Sequence, residues 1–122
     1  GATGRRCDGT TANAVVPTVV PAFGSGTGVA DLALGWQSTL VVRAAGATFG
    51  CGYNPDNQLG NGNGGVGPDG AKYELLPSPV IGLGAGSGTT DVDTGFAHSL
   101  AIAAAPSALG TISAPPMLRP FR

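Results

Sequence analysis

Few residues in this chain have chemistry to offer. His98 is the one histidine, and Cys7 and Cys51 are the two cysteines. A histidine works as a base or a zinc ligand when nucleophilic or ligating groups recur around it, and no such spacing surrounds His98. It is expected to make a structural hydrogen bond instead. Cys51 has no patterned histidine beside it, so a nucleophilic role is not expected. The glycine-rich runs Gly24–Gly28 and Gly82–Gly88 resemble phosphate cradles only superficially: neither ends in Lys-Ser/Thr and neither opens a helix. The loop from Asn54 to Asp69 carries only Asp56 and Asp69 as carboxylates, too few and too irregular for calcium. No catalytic residue, cofactor site or metal site is assigned, and an enzyme is not expected. The residues with binding character are Trp36 and Phe96, and in the long loop Asn63, Val66, Asp69 and Lys72.

These residues sit in a repeat. Leu34-Gly35-Trp36-Gln37-Ser38-Thr39-Leu40-Val41-Val42 returns sixty residues on as Thr94-Gly95-Phe96-Ala97-His98-Ser99-Leu100-Ala101-Ile102. The register holds backwards without a gap: Pro17 meets Pro77, Val20 meets Val80, Phe23 meets Leu83 and Asp31 meets Asp91. With 22 glycines in 122 residues a shared glycine means little, but the ordered pattern is a true repeat. A period of this kind belongs to propellers, solenoids or arrays. Residues 1–14 read as the end of a preceding repeat, 15–74 as a complete one, 75–112 as a partial one, and 113–122 as an extended Pro-rich tail.

The elements that must position the repeat are strands. Val29–Leu34 is short and apolar, Ser38–Arg43 is a β-branched run, and Ala47–Tyr53 follows through the hairpin Ala44-Ala45-Gly46. Asp91–Thr94, Ser99–Ala103 and Gly110–Ile112 are expected to repeat them. Val15–Phe23 reads as an extended segment suited to a sheet edge, because Pro17 and Pro21 forbid helix. Leu40 and Leu100 hold equivalent inner-strand positions, and both are expected to be buried between packed sheets. Trp36 and Phe96 follow the repeat glycine, where packing between sheets is the first reading and exposure as binding anchors the second. For residues 63–72, docking on a neighbouring protein and folding back on the chain through Val66, Tyr73 and Leu75 both stay open.

Composition bounds the rest. Six basic and seven acidic residues nearly balance, and charged residues are only 11% of the chain, far below an average domain. That excludes an electrostatic footprint for nucleic acid or an anionic membrane surface. It also favours a surface that meets other protein. No run reaches the length of a membrane span. The chain starts at Gly1 without a signal-peptide pattern, so a processed chain or an excerpt of a longer protein is expected. Cys7 and Cys51, at unmatched repeat positions, read more readily as buried small residues than as a pair, with the redox setting open.

Gly95-Phe96-Ala97-His98-Ser99-Leu100-Ala101-Ile102, the strand Gly46–Asn54 and the loop Asn57-Gln58-Leu59-Gly60-Asn61-Gly62 together resemble the regulator-of-chromosome-condensation type of β-propeller repeat. Gly4-Arg5-Arg6-Cys7-Asp8-Gly9-Thr10 is similar to a worn copy of that loop. Two positions depart from the family pattern: Ser38 replaces the motif histidine and Cys51 a usual tryptophan. The resemblance implies an all-β fold built of four-stranded antiparallel blades, with about two blades here and an incomplete ring. It implies a scaffold or protein-interaction module inside a larger protein or assembly. Its partners would be other protein subunits, with the remaining blades supplied by a longer chain or another chain. An intracellular setting (cytoplasm, nucleus, cilium or an organelle assembly) is expected over secretion. The alternatives are a guanine-nucleotide exchange factor for a small GTPase and a secreted bacterial propeller of the protein-inhibitor kind.

Overall fold

The computed structural model describes residues 3–104. The expected strand Gly110–Ile112 and the Pro-rich tail lie outside the described residues. The fold is all-β, and its one helical feature among the described residues is a 3-10 turn at Pro21–Phe23. Strands β1 (Val29–Leu34), β2 (Ser38–Arg43) and β3 (Thr48–Tyr53) follow in sequence. A minor hairpin, β4 (Val66–Gly67) and β5 (Gly70–Ala71), precedes β6 (Tyr73–Pro79), and β7 (Thr89–Thr94) and β8 (Ser99–Ala103) complete the set.

One sheet, in the order β1-β2-β3-β6, is a four-stranded antiparallel blade. β7 and β8 pair as the inner half of a second blade, and among the described residues the array is not closed into a ring. Pro77 and Pro79 stand on β6, the outer edge, where a missing N–H interrupts no further ladder. The first sheet crosses the boundary between sequence repeats at 74/75, so a blade and a sequence repeat differ in phase. Gly52 is required in β3: its φ of +104° is left-handed, and a Cβ there would collide with the Gln37 carbonyl.

The sixty-residue repeat is reproduced at the level of single hydrogen bonds. β1 pairs with β2 from Val29↔Arg43 to Leu34↔Thr39 with an irregularity between Val29 and Asp31. β7 pairs with β8 from Thr89↔Ala103 to Thr94↔Ser99 with the same irregularity between Thr89 and Asp91. The Gly35 amide donates to the Ser38 carbonyl at 2.8 Å, and Gly95 donates to His98 at the same distance. Ala44 donates to Gly28 at 2.7 Å, and Ala104 to Gly88 at 2.8 Å.

The core lies between blades. Ala33, Leu40 and Val42 of the first blade pack on Val92 of the second, with Val80 alongside. β2 is buried along nearly its whole length, as expected of a strand covered on both faces. The blade-to-blade contact also uses polar groups. Asp31 Oδ2 accepts the Val92 amide at 3.0 Å, and Ser87 Oγ donates to the Gly46 carbonyl at 3.0 Å.

The other face of β2 is covered by the N-terminal residues, and here three expectations are corrected. Cys7 and Cys51 form a disulfide with Cα atoms 5.5 Å apart, and both are buried. They are at once the buried residues expected and the pair not preferred. The pairing holds residues 4–9 as a strap across the sheet: Thr39 Oγ1 donates to the Arg5 carbonyl at 2.7 Å, and the Gly9 amide to Leu75 at 2.9 Å. Second, Val15–Phe23 is neither extended throughout nor a strand: it bends at Val15–Val16 and ends in the 3-10 turn Pro21–Phe23, whose first position tolerates Pro21 because no N–H is needed there, although the counterpart of residues 15–19 at sixty residues is β6. A strand exists only beside a hydrogen-bonding partner; β6 has β3, and residues 15–19 have no such neighbour among the described residues. Third, Leu40 is buried, but Leu100 is 67% exposed, because no further blade lies on β8 within the described residues. Arg43 anchors the end of the Val15–Phe23 segment, donating to the Ala22 carbonyl at 2.6 Å while lying over Phe23 and Phe49.

Candidate functional site

The register decides which loops share an end of the array. Leu34 opposes Thr39, Ser38 opposes Gly52, and Tyr53 opposes Tyr73. The turn 35–37 and the loop 54–72 therefore emerge together, and the repeat puts the turn 95–97 beside them. The turns 44–47 and 84–88 meet at the opposite end, where Gly86 donates to the Ala45 carbonyl at 2.7 Å. All six residues singled out for binding sit in the loops of one end.

Two identical turns present the aromatics there. Gly35 and Gly95 lack side chains for a local reason: a Cβ on Gly35 would overlap the side chains of Thr94 and Ser38, and one on Gly95 the ring of His98. The residue after each glycine is consequently thrown outward. Trp36 and Phe96 stack on each other across the blade boundary, with ring centroids 4.5 Å apart and planes tilted by 31°. Yet Trp36 remains 56% and Phe96 65% exposed. Packing between blades and outward display are thus combined in one pair. Arg5 adds a cation at the rim by donating to the Trp36 carbonyl at 3.2 Å.

The long loop is held by its own polar network. Asn54 is fully buried; its Oδ1 accepts the Leu59 amide at 2.9 Å and its Nδ2 donates to Asn61 Oδ1 at 2.8 Å. Asn61 and Asn63 both donate to Glu74 Oε2, at 2.7 and 2.8 Å. Leu59 plugs the space over Gly50 and Leu40. Lys72 ties the loop's end down through its main chain, donating to Gly65 and accepting from Asn54. The loop does fold onto its own blade, through Asn54, Leu59 and Glu74 in place of the expected Val66, Tyr73 and Leu75. Residues 66–71 are free of that network and form the β4–β5 hairpin, with Pro68-Asp69 at its tip and Val66 75% exposed.

The sequence signal for the network was available in Asn54, Asn57, Asn61 and Asn63. Buried amides must be hydrogen-bonded, and so many asparagines in one loop mark mutual bonding as readily as they mark a turn. Of the other candidates, His98 lies over Gly95, with its main-chain carbonyl taking the Gly95 amide. The imidazole is exposed and makes no side-chain hydrogen bond among the described residues, so the expected structural bond is not seen there. His98 also lines a cleft of about 300 Å³ between the blades, with Gln58, Ser99 and Leu100. Cys51 is bonded to Cys7 and is no free thiol. Among the described residues no three His, Cys, Asp or Glu side chains gather as a metal site, and no helix is long and apolar enough to cross a membrane.

No family model and no curated protein matches this chain.

One electrostatic feature belongs to the blade boundary. The Asp31 carboxyl is held below the usual carboxylate range by the Val92 amide first and the Leu32 amide second, against a smaller opposing effect of burial. An accepting carboxylate bonded to main-chain N–H groups favours its charged form.

Proposed function

We propose that this chain is a divergent part of a regulator-of-chromosome-condensation type β-propeller that acts as a protein-interaction scaffold. In this reading its loop-bearing end receives another protein subunit. The observation that carries the proposal is the stacked, outward-facing pair Trp36 and Phe96, on the same end as the projecting Val66 hairpin. Aromatic side chains dominate the energetics of protein interfaces when a partner removes them from water. A pair already stacked has less side-chain freedom to lose on binding. The low charge of the chain suits a surface recognised by shape and apolar contact.

The test is affinity isolation of the native assembly on the full chain, comparing wild type with Trp36→Ala/Phe96→Ala and with residues 63–70 replaced by a Gly-Ser link. Loss of about tenfold in recovered partner, as one lost anchor produces, is expected with the Cys7–Cys51 bond intact. Undiminished recovery with both variants would remove this end from consideration.

The disulfide favours a second reading, the secreted propeller of the protein-inhibitor kind. Stable disulfides belong to oxidising compartments, and that argues against the intracellular setting. Alkylation trapping of thiols in intact cells discriminates: a fully reduced pair in vivo would return the intracellular scaffold.

A further inference from the structure

The long loop contains two asparagine–glycine pairs in succession, Asn61-Gly62 and Asn63-Gly64. That dipeptide is chemically unstable. The main-chain nitrogen after an asparagine can attack the side-chain amide carbon, and glycine, lacking a Cβ, obstructs the approach least. Whether a pair reacts depends on how firmly the fold holds the amide and the attacking nitrogen.

The fold holds the two pairs differently. Asn61 is half-buried, and its amide is bonded on every side. Its Oδ1 accepts from Asn54 Nδ2 at 2.8 Å and from the Asn63 amide at 3.0 Å. Its Nδ2 donates to Glu74 Oε2 at 2.7 Å and to Ser78 Oγ at 2.9 Å. Turning that amide toward Gly62 would break all of these. Asn63 is exposed, and among the described residues its side chain makes one bond, from Nδ2 to Glu74 Oε2 at 2.8 Å. The attacking nitrogen is held separately, because the Gly64 amide donates to Asn57 Oδ1 at 2.9 Å. Gly64 itself is fixed by packing: a Cβ there would overlap the Asn54 carbonyl and the Asn57 side chain. The blade thus requires a reactive pair at an exposed place, guarded only by the Glu74 and Asn57 bonds.

We propose that Asn63 is a site of spontaneous deamidation, with Asn57 as its brake and Asn61 protected. The Gly64 nitrogen bonds to Asn63 Cγ, the Cγ–Nδ2 bond breaks, and Nδ2 leaves as ammonia with the proton that Gly64 gives up. The resulting cyclic imide takes up water. Opening at one carbonyl gives aspartate and at the other isoaspartate, and either way the Gly64 N–H is restored. The product carboxylate then faces Glu74 where a donor had stood, and neighbouring carboxylates repel. The tie between residue 63 and β6 is lost beside Gly65, which carries the stem of the β4–β5 hairpin through its bonds to Asn54, Pro55 and Lys72. The hairpin that displays Val66 loosens. Its effect on a partner rests on the proposed binding end, whereas the modification is read on the partner-free chain, so the two readings fail separately.

Peptide mapping by mass spectrometry tests it, on the full chain incubated at mildly alkaline pH both folded and in guanidinium. Unfolded, Asn61 and Asn63 should both lose ammonia. Folded, Asn63 should do so alone, yielding chromatographically distinct aspartate and isoaspartate forms. Asn57→Gly removes the side-chain acceptor but still suits the left-handed backbone of residue 57, at φ +57°. It should speed the folded reaction about fivefold, the worth of one neutral hydrogen bond. Asn63→Asp should accelerate amide exchange at Gly65 and Lys72. An intact Cys7–Cys51 bond and an unchanged far-ultraviolet spectrum certify folding of each variant. A folded chain that reacts at Asn61 as fast as at Asn63, or at neither, overturns the inference. So does an Asn57→Gly rate equal to that of wild type.

Discussion

Asp31 reaches from one blade to the main chain of the next, so its ionisation is tied to blade docking. Its folded pKa lies below the unfolded value. The stabilisation is therefore complete above the unfolded pKa, about 3.9, and is lost as pH falls through the folded value. Asp31→Asn should lower the urea midpoint by a constant amount from pH 5 to 8. The gap between the two proteins should then shrink below about pH 4, near the unfolded carboxyl pKa. A gap that persists unchanged to pH 2 would show that charge at Asp31 is irrelevant. Asn54 tests a different residue-scale device, the neutral buried amide. Asn54→Ala strands the buried Leu59 amide and leaves Asn61 Oδ1 with the Asn63 amide as its partner, and should cost about 1–3 kcal/mol, the range for an unsatisfied buried group. Chemical denaturation measures the loss. Amide exchange at Leu59 should accelerate with it.

At the scale of elements, the same leucine occurs in two settings. Leu40→Ala should cost about 2–5 kcal/mol, as buried leucines do. Leu100→Ala in the monomeric chain at high dilution should fall within about 0.5 kcal/mol of wild type, as surface changes do. Equal costs would mean that β8 is covered in the monomer. This contrast also shows what sequence can reveal. The bounds of β1, β2 and β8 were legible because apolar, β-branched runs ended at Gly-aromatic turns that recur with a fixed offset. Burial of Leu100 was not, because the pattern records what a position packs against in a finished array and not which neighbours are present. Val15–Val19 failed as a strand for the same reason. At the candidate site, Trp36 and Phe96 were legible from their turns, whereas Glu74 was hidden. Only the return of β6 beside β3 brings its carboxylate to Asn61 and Asn63. The cysteine pair was equally opaque, since its partners lie in different blades' worth of sequence and meet only when the strap crosses β3.

For the whole molecule, the strap and its disulfide set the stability of the first blade's outer-facing surface. A bridge spanning a separation of 44 residues removes unfolded-state entropy worth about 4 kcal/mol by the chain-entropy account. Cys7→Ser/Cys51→Ser should lose an amount of that order in a denaturation series. Trypsin should then cut at Arg5 and Arg6 far faster than in the oxidised protein, because only the hydrogen bonds of Thr39, Gly9 and Arg5 remain to hold the strap. A variant with unchanged stability and unchanged cleavage would show that the strap is secured without the bond.

The same bond governs how the molecule bears tension. Pulled from its two ends, the chain passes load from Cys7 directly across to Cys51, and everything between them hangs slack in a side branch. β1, β2 and the anchored Phe23 turn lie in that branch, so force peels the second blade and β6 before it can reach them. About 150 Å of contour, at roughly 3.5 Å per residue, stays unavailable until the bond is reduced. A single-molecule extension trace should lengthen by that amount on adding reductant, which makes this small array a tether whose length is set by its redox surroundings.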